Sequence, residues 1–323
     1  MSGRVLIPQD VAETGKQYLR ERGYEIKSGS GTSVEAISHD VADCDAILAR
    51  TAPFPSAVLD AAPKLKVIAR HGVGVDNIDL ERAAELGIWV TNAPASNSNT
   101  VAEHTLTLIL ALAKKLIPAA AAFRAGDFEA RNRLKGMDLE GKTLGIVGMG
   151  KIGKLVATKA GIGLGMRIVG FDAYVPADAF PEGVERSATL EELLGRSDFV
   201  TLHVPATPET KDYIGKQEIA CMKPSAYLIN AARGEILDET ALIEALQAGR
   251  IAGAGLDVFR EEPPAKNNPL FAMENVVATP HNAALTAECM ERMAVHAAMG
   301  IDDVLSGRTP QWPVVTPRNP RQR

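Results

Sequence analysis

A glycine-rich turn between a strand-like and a helix-like segment constrains the fold of this chain more than any other feature. Gly148, Gly150 and Gly153 form a GxGxxG pattern that follows the β-branched run 143–147 and opens the helical run 151–160. In this context the first glycine allows a tight turn, the second lets the backbone approach a pyrophosphate, and the third permits close helix–strand packing. The pattern therefore predicts a dinucleotide site at the helix N-terminus, where free N–H groups favour an anion. The alternative is a plain glycine turn, because the chain contains 28 glycines.

One acidic residue follows the turn at the distance where such folds place the acid that contacts the ribose. Asp172 comes 19 positions after Gly153, at the end of the predicted strand 167–171. A carboxylate there accepts hydrogen bonds from the ribose hydroxyls and repels a 2′-phosphate. Because no arginine follows in residues 173–175, the sequence predicts NAD rather than NADP as cofactor. The alternative is an aspartate in an ordinary turn.

Short β-branched runs alternate with longer helical stretches, which is typical of parallel α/β units. The first block has strand candidates at residues 4–8, 46–48, 66–69 and 88–91 and helix candidates at 11–22 and 57–62. The second block has strand candidates at residues 143–147, 167–171, 199–202, 226–230, 253–257 and 276–278. Six strands separated by helical segments predict a doubly wound sheet.

The order of the blocks predicts two domains, one inserted in the other. A long helix is expected at residues 97–116, and a helix from 286 to about 305 is expected to return to the first block. We therefore expect a substrate-binding domain of residues 1–96 with about 286–323, and an NAD-binding Rossmann domain of residues 97–285. Both are expected to be α/β, Rossmann-like or flavodoxin-like, with parallel sheets and the active site in the cleft between them. Residues 316–323 are expected to form a solvated, frayed tail.

Composition narrows the classes of partner and compartment. Apolar residues make up 46% and charged residues 23% of the chain, and the net charge is -5, which gives no electrostatic footprint for nucleic acid or an anionic membrane. Cys44, Cys221 and Cys289 lie far apart without metal-ligand spacing, so we expect no metal site, no disulfide framework and a cytoplasmic location. The most apolar stretch, 105–113, is well short of the roughly 20 residues that span a bilayer.

Three polar residues follow the later strands of the second block. Arg233, Glu262 and His281 come after the strand candidates 226–230, 253–257 and 276–278, respectively. Since parallel sheets bind ligands at the carboxyl ends of their strands, these residues are candidates for a 2-oxoacid reductase site. The guanidinium would clamp the carboxylate and carbonyl oxygens, the histidine would donate a proton, and the glutamate would hold the imidazole. The alternatives are a surface ion pair for Arg233 or Glu262 and a helix-capping role for His281. Spacing alone leaves the catalytic and the structural interpretation open.

Several motifs occur together and in order. They are Gly72–Asp79 (GVGVDNID), Val101–Thr105 (VAEHT), Gly148–Gly153, Leu202–Pro205 (LHVP), Ile229–Gly234 (INAARG), Leu256–Phe259 (LDVF) with Glu262–Pro263, and Thr279–His281 (TPH). In these motifs the chain resembles the D-isomer-specific 2-hydroxyacid dehydrogenases, and the resemblance covers nearly all of its length.

The resemblance implies roles for individual residues. The implied catalytic residues are Arg233, Glu262 and His281. The implied NAD contacts are Gly148, Gly150, Lys151, Ile152, Gly153, Asp172, His203, Val204, Pro205, Ala231, Ala232, Arg233, Asp257 and His281. The implied substrate contacts are Arg50, Arg70, Gly72, Val73, Gly74 and Arg233. The family also implies a homodimer, to which the predicted helix 97–116 is suited.

Within the family the chain is most similar to the phosphoglycerate dehydrogenase branch. Arg50 and Arg70 match arginines of that branch that face the phosphate of the substrate, and two guanidiniums suit a second anionic group. The alternative is two surface arginines at strand ends. His71, Val73 and residues 282–285 differ from the residues that are usual in the branch or the family at these positions. These differences bear on the identity of the substrate and on the shape of the nicotinamide pocket rather than on hydride chemistry. His71 is expected to be a structural loop histidine, and His104 a packing or interface residue.

Other activities stay open beside oxidation of 3-phosphoglycerate. A hydroxypyruvate or glyoxylate reductase of the same family would use the same trio, and so would a phosphite-oxidising relative. A formate dehydrogenase is disfavoured, because such enzymes pair the catalytic histidine with an amide side chain, whereas this chain has Glu262 at that position. An NAD(H)-sensing binding protein is a further alternative, since fold alone does not establish activity. The chain ends soon after the returning helix, so we expect it to lack the regulatory domain of some phosphoglycerate dehydrogenases.

Overall fold

A computed structural model describes residues 3–321 and divides the chain into two compact units. Unit 1 is formed by Met1–Asn97 and Leu285–Arg323, and unit 2 by Ser98–Ala284. The strands are β1 (Arg4–Ile7), β2 (Glu25–Ser28), β3 (Ala46–Ala49), β4 (Val67–Arg70), β5 (Trp89–Thr91), β6 (Thr143–Val147), β7 (Arg167–Phe171), β8 (Val184–Arg186), β9 (Phe199–Leu202), β10 (Tyr227–Asn230), β11 (Gly253–Leu256), β12 (Val276–Ala278) and β13 (Pro313–Val315). The α-helices are α1 (Glu13–Glu21), α2 (Val34–Val41), α3 (Ser56–Asp60), α4 (Leu80–Glu85), α5 (Ser98–Ala113), α6 (Leu116–Arg124), α7 (Ala130–Arg133), α8 (Lys151–Leu164), α9 (Leu190–Arg196), α10 (Lys216–Cys221), α11 (Glu239–Gln247) and α12 (Ala287–Leu305).

Unit 1 is a sheet in the order β13-β5-β4-β3-β1-β2, parallel except for β13. Because side chains alternate along a strand, Val5 and Ile7 pack on one face of the sheet, against α1 and α12, while Leu6 packs on the other face. Helices α2, α3 and α4 cover that second face. Burial on both faces explains why the strands read as continuous apolar runs.

Unit 2 is a parallel sheet in the order β12-β11-β10-β9-β6-β7-β8. The chain starts in the middle, at β6, and winds outward in both directions, so β6 has β7 on one side and β9 on the other. Helices α5 and α8 cover one face, and α9, α10 and α11 cover the other. In such sheets the reversal of strand order, here between β6 and β9, opens a crevice at the carboxyl ends of the strands. The predicted α/β class with parallel sheets is confirmed.

The sequence interpretation differs from the structure in several places, among them the strands β2 and β13, which it did not predict. The helix predicted at 97–116 ends at Ala113, because Lys115 has the left-handed φ of 49°, and α6 begins at Leu116. The second sheet has a seventh strand, β8, an edge strand without the apolar run that sequence analysis relies on. The prediction of a frayed tail is wrong up to residue 321. The guanidinium of Arg321 donates to the carbonyls of Ala62, Leu65 and Leu86; residues 322 and 323 lie outside the described residues.

Within residues 3–321, no single helix has the length and apolarity needed to cross a membrane. The bent pair of α5 and α6 meets these criteria only when the two helices are taken together.

Candidate active site

The glycine-rich loop has the geometry that its sequence predicts. Gly148 has a φ of +98°, and a Cβ there would lie 2.7 Å from the backbone of His203. A Cβ at Gly153 would lie 2.1 Å from the carbonyl oxygen of Gly148, so only glycine fits this approach of α8 to the loop. At Gly150, by contrast, a Cβ would meet nothing within 4 Å, and α8 starts there without a side-chain cap. Open space beside an uncapped helix N-terminus fits the pyrophosphate of a dinucleotide.

Asp172 follows β7 and closes the same loop. Its carboxylate accepts hydrogen bonds from the N–H groups of Met149 (2.8 Å), Tyr174 (2.9 Å) and Val175 (3.0 Å). Partial burial raises the pKa of Asp172, but these three donors outweigh burial and hold the pKa below its usual value. The carboxylate is therefore ionised and fixed beside the glycine-rich loop, as a ribose contact requires.

The other predicted cofactor residues follow neighbouring parallel strands and so share one edge of the sheet. After β6 come Gly148, Gly150, Lys151, Ile152 and Gly153; after β9 come His203, Val204 and Pro205; after β10 come Ala231, Ala232 and Arg233; after β11 comes Asp257; and after β12 comes His281. The ring of His203 lies 3.0 Å from the hydroxyl of Thr201, and burial lowers the pKa of His203 to about 4, so this ring is neutral near pH 7.

Two of the three predicted catalytic residues are in direct contact. His281 Nδ1 lies 2.6 Å from Glu262 Oε2, and the other oxygen of Glu262 accepts the N–H of Phe259 at 3.1 Å. Burial raises the pKa of Glu262, but the bond to His281, the N–H of Phe259 and the charge of Arg233 together bring this pKa below its usual value. The side chain of His281 is half exposed, which leaves the ring accessible to a ligand.

Arg233 follows β10 on a short loop that Asn230 holds in place. The side chain of Asn230 accepts the N–H of Ala232 at 3.0 Å and donates to the carbonyl of Arg233 at 2.8 Å. The Arg233 guanidinium donates to the carbonyl of Ala232. Because its positive charge helps to lower the pKa of Glu262, Arg233 lies near the Glu262–His281 pair.

Asp257 is completely buried, and its carboxylate is engaged by the loop that carries His281. It accepts the hydroxyl of Thr279 at 2.6 Å and the N–H groups of Asn282 (3.0 Å) and Ala283 (2.8 Å). Burial raises the pKa of Asp257, but these donors together with His104 lower it below its usual value. Sequence reasoning missed Thr279 and placed His104 among packing residues, because their partners are far away in the chain.

The predicted substrate residues of unit 1 lie at the ends of β3 and β4. The guanidinium of Arg70 donates to the carbonyl of His71 and lies over Gly72, where a Cβ would be 3.1 Å from Arg70 Nη1. Gly72 also has a φ of +143°, which favours glycine at this position. Val73 is exposed, and its carbonyl accepts the side chain of Asn92. Gly74, the next residue, is half-buried.

Arg50 is held by its surroundings at the end of β3. Its guanidinium donates to the carbonyl of Asp10 at 2.7 Å, while its own carbonyl accepts the side chain of Asn77 at 3.0 Å. Gln9 fixes the next residues, since its Oε1 accepts the N–H groups of Thr51 (2.8 Å) and Ala52 (2.7 Å). Gln9 and Asn77 were not identified from sequence; Asn77 lies in the motif 72–79, but nothing there indicates its partner.

His71 is buried close to both of these arginines. The residue is only 4% exposed, and the Nε2 atom of its ring has no hydrogen-bond partner among residues 3–321. Burial, followed by the positive charges of Arg50 and Arg70, lowers the pKa of His71 to about 4. The imidazole is therefore neutral near pH 7, and both guanidiniums are close enough to act on it.

Comparison with known proteins identifies the family. Residues 106–283 match the model of the D-isomer specific 2-hydroxyacid dehydrogenase, NAD binding domain. The D-3-phosphoglycerate dehydrogenase of Methanocaldococcus jannaschii is 42% identical over 322 residues, which are 99% of this chain and 61% of that protein. The chain thus spans about three fifths of the length of this relative. The glyoxylate reductase of Korarchaeum cryptofilum is 41% identical over 318 residues, 96% of this chain and 95% of that protein.

A solved structure extends the likeness to three dimensions. The NADPH-dependent glyoxylate/hydroxypyruvate reductase of Sinorhizobium meliloti, in complex with NADP and malonate, superimposes with a TM-score of 0.89 and 29% identity over 100% of both chains. The chain therefore belongs to the family of D-isomer specific 2-hydroxyacid dehydrogenases.

Proposed function

We propose that this protein is an NAD-dependent oxidoreductase that interconverts a D-2-hydroxy acid and its 2-oxo acid, with 3-phosphoglycerate and phosphohydroxypyruvate as the pair. The observation that carries the proposal is the contact of 2.6 Å between His281 and Glu262, at the edge of the sheet that also bears the glycine-rich loop. Its relatives include phosphoglycerate dehydrogenases at about 40% identity. In this proposal unit 2 binds the dinucleotide and supplies Arg233, Glu262 and His281, and unit 1 supplies further contacts to the charged groups of the substrate.

The proton chemistry follows from which nitrogen of His281 is free. Since Glu262 engages Nδ1, Nε2 is the nitrogen that exchanges a proton with the substrate. In reduction, protonated His281 donates that proton to the carbonyl oxygen; in oxidation, neutral His281 takes it from the hydroxyl. Glu262 stabilises the protonated ring and fixes its orientation. The bound nicotinamide supplies or accepts the hydride at the carbon.

The arginines and glycines of the site bind the anionic groups of the substrate in this proposal. Arg233 holds the carboxylate and the carbonyl oxygen through two parallel hydrogen bonds. The amides of Gly72, Val73 and Gly74 hold the same carboxylate, and Arg50 and Arg70 hold the phosphate. The cofactor is NAD, because the ionised Asp172 accepts ribose hydroxyls and repels a 2′-phosphate.

The experiment that tests the proposal is NADH oxidation with phosphohydroxypyruvate, hydroxypyruvate, glyoxylate and pyruvate, followed by the absorbance of NADH. We expect kcat/KM for phosphohydroxypyruvate to exceed that for hydroxypyruvate by at least about 100-fold, since a phosphate held by two guanidiniums contributes roughly 3 kcal/mol. Equal values would contradict the phosphate site and leave the hydride chemistry intact. The absence of turnover with all four acids would contradict the oxidoreductase assignment and favour an NAD(H)-sensing protein.

A glyoxylate or hydroxypyruvate reductase is the second candidate. The glyoxylate reductase of Korarchaeum cryptofilum is 41% identical to this chain, about as similar as the phosphoglycerate dehydrogenases. The Arg50 guanidinium is also already bonded to the carbonyl of Asp10. A preference for unphosphorylated acids in the same assay would favour this candidate, with His71 and Val73 as the residues that shape the pocket.

We also propose a cytoplasmic homodimer that does not act on nucleic acid or membranes. Helix α6 has no buried residue, and its apolar Leu116, Ile117 and Phe123 are exposed, together with Phe128 just beyond. Several exposed apolar side chains on and just after one helix favour burial against a second copy. Sedimentation should give a dimer for the wild type and a monomer for Phe123→Glu; a monomeric wild type would contradict the proposal.

A further inference from the structure

A hydrogen-bonded chain of three side chains lies behind the loop that carries His281. His104, on α5, places Nε2 3.0 Å from the hydroxyl of Thr279 and 3.5 Å from Oδ1 of Asp257. The Thr279 hydroxyl lies 2.6 Å from the same Oδ1. Asp257 is completely buried, and the His104 side chain is 18% exposed. The three residues come from α5, the end of β11 and the end of β12, so the fold alone brings them together.

The direction of each hydrogen bond follows from the chemistry of the groups. The ionised Asp257 can only accept, so the hydroxyl proton of Thr279 points to Oδ1. The Thr279 oxygen is then an acceptor, which makes His104 Nε2 the donor to it. His104 therefore carries a proton on Nε2, with Thr279 and the carboxylate as its partners.

This chain is continuous with the backbone of His281. The carbonyl of Asp257 accepts the N–H of His281 at 2.8 Å, and its carboxylate accepts the N–H groups of Asn282 and Ala283. His281 itself has a φ of +49°, in the left-handed region that residues with a side chain rarely adopt. The bonds to Asp257 hold the loop in this conformation, and the conformation directs the ring of His281 to Glu262.

We propose that His104 is a positioning residue for His281, acting through Thr279 and Asp257. The Nε2–H group of His104 fixes the Thr279 hydroxyl and the carboxylate rotamer, and the carboxylate fixes the loop 279–283. His104 does not touch the reacting atoms. This inference rests on the proposed function, in which His281 exchanges a proton with the substrate.

A leucine at position 104 would serve packing at least as well, because the neighbours of His104 on α5 include the buried Val101, Thr105 and Leu108. The contribution of His104 beyond packing is its single N–H donor. The matched pair His104→Leu and His104→Gln separates the two roles, since glutamine keeps an N–H donor on a side chain of similar length and leucine does not.

The first measurement is steady-state kinetics on both variants with the preferred 2-oxo acid. For His104→Leu we expect kcat to fall by about ten-fold or more, with KM for NADH and for the oxo acid changing less than about two-fold, because only the geometry of proton transfer is altered. His104→Gln should recover most of the loss. Combining His104→Leu with Thr279→Val should cost little more than the larger single loss, since both break one chain. Equal kcat in Leu and Gln variants would overturn the proposal.

The second measurement is hydrogen–deuterium exchange, which does not depend on turnover. The His104→Leu variant should exchange the amides of residues 281–283 about ten-fold faster than wild type, while the rest of unit 2 is unchanged. Unchanged exchange in this segment, or a rise throughout unit 2, would overturn the proposal. If wild type reduces no 2-oxo acid, the proposed function fails, while the exchange experiment still decides whether His104 holds the loop.

Discussion

The two units share a parallel-sheet architecture but differ in the loop that follows the first strand of each sheet. In unit 2 the loop after β6 is rich in glycine, and the space at Gly150 is open to a ligand. In unit 1 the loop after β1 contains Gln9, whose side chain accepts the N–H groups of Thr51 and Ala52 and so ties two loops together. The parallel sheet supplies the edge in both units, whereas the loop residues decide whether a dinucleotide can bind there.

The two units also differ in the surroundings of one histidine in each, His281 and His71. In unit 2, His281 is half exposed and has a carboxylate partner, which suits proton exchange with a substrate. In unit 1, His71 is buried next to two arginines, and its pKa is lowered to about 4. The proposed proton carrier of unit 2 and the neutral histidine of unit 1 thus differ in their burial and in the sign of the neighbouring charge.

The largest effect is expected for removal of the proton carrier. His281→Ala should lower kcat by about 10³-fold, within the range of general acid–base catalysis, while NADH binding measured by fluorescence stays within about two-fold. Glu262→Gln is the matched variant, and we expect a smaller loss because the ring remains and only its partner changes. Turnover that is unchanged in His281→Ala would contradict its assignment as proton donor.

The next effect concerns His71 and folding stability. The folded pKa of about 4 lies below the ordinary 6.5, so the unfolded chain binds the proton more readily. The contribution of neutral His71 to the free energy of unfolding is therefore fully present above about pH 6.5 and is lost as the pH falls through 4. For this difference in pKa the contribution is about 3 kcal/mol. His71→Leu, which does not titrate, should show a correspondingly weaker decline in the free energy of unfolding between pH 6.5 and 4.5. If urea titrations show the same decline in the free energy of unfolding for the wild type and for His71→Leu, the lowered pKa of His71 is refuted.

The local sequence was sufficient to predict the glycine-rich loop and the position of Asp172 beside it. Gly148, Gly153 and Asp172 belong to one β-turn-α-β segment, so their spacing already encodes their geometry. The pairing of Glu262 with His281 was predictable from a resemblance in motifs, not from spacing. By contrast, His104 and Thr279 are 175 positions apart, and no local pattern indicates their contact.

Boundaries and termini were harder to predict for related reasons. Nothing in the two lysines Lys114 and Lys115 indicates that the second adopts a left-handed conformation and ends α5. Arg321 is part of a basic, proline-containing segment that is typical of a solvated tail. In the fold, however, its guanidinium donates to the carbonyls of Ala62, Leu65 and Leu86. Both outcomes depend on tertiary partners that the local sequence does not contain.

The phosphate assignment of unit 1 can be tested selectively. Arg70→Ala should raise KM for phosphohydroxypyruvate by about 30-fold and KM for glyoxylate by less than about three-fold, because only the former has a second anion to lose. The unit-2 control is Lys154→Ala, a substitution on α8 away from the proposed phosphate contacts, which should affect both substrates equally. Equal increases for the two substrates in Arg70→Ala would make this arginine structural.

The smallest expected effect returns to the difference between the two loops. Gly150→Ala should raise the Kd for NADH by about ten-fold, because the added methyl group projects into the open space assigned to the pyrophosphate. The same change should leave folding stability nearly unaltered, since the φ of Gly150 is -73° and, among residues 3–321, nothing beyond its local backbone and chain neighbours lies within 4 Å of the new Cβ. Gly163→Ala is the matched control in the same helix: its Cβ also meets nothing, so it should raise stability by roughly 0.5–1 kcal/mol without affecting NADH binding. If both variants bind NADH like the wild type, the open space at Gly150 is not where the dinucleotide lies, and the contrast with the loop of Gln9 loses its functional meaning.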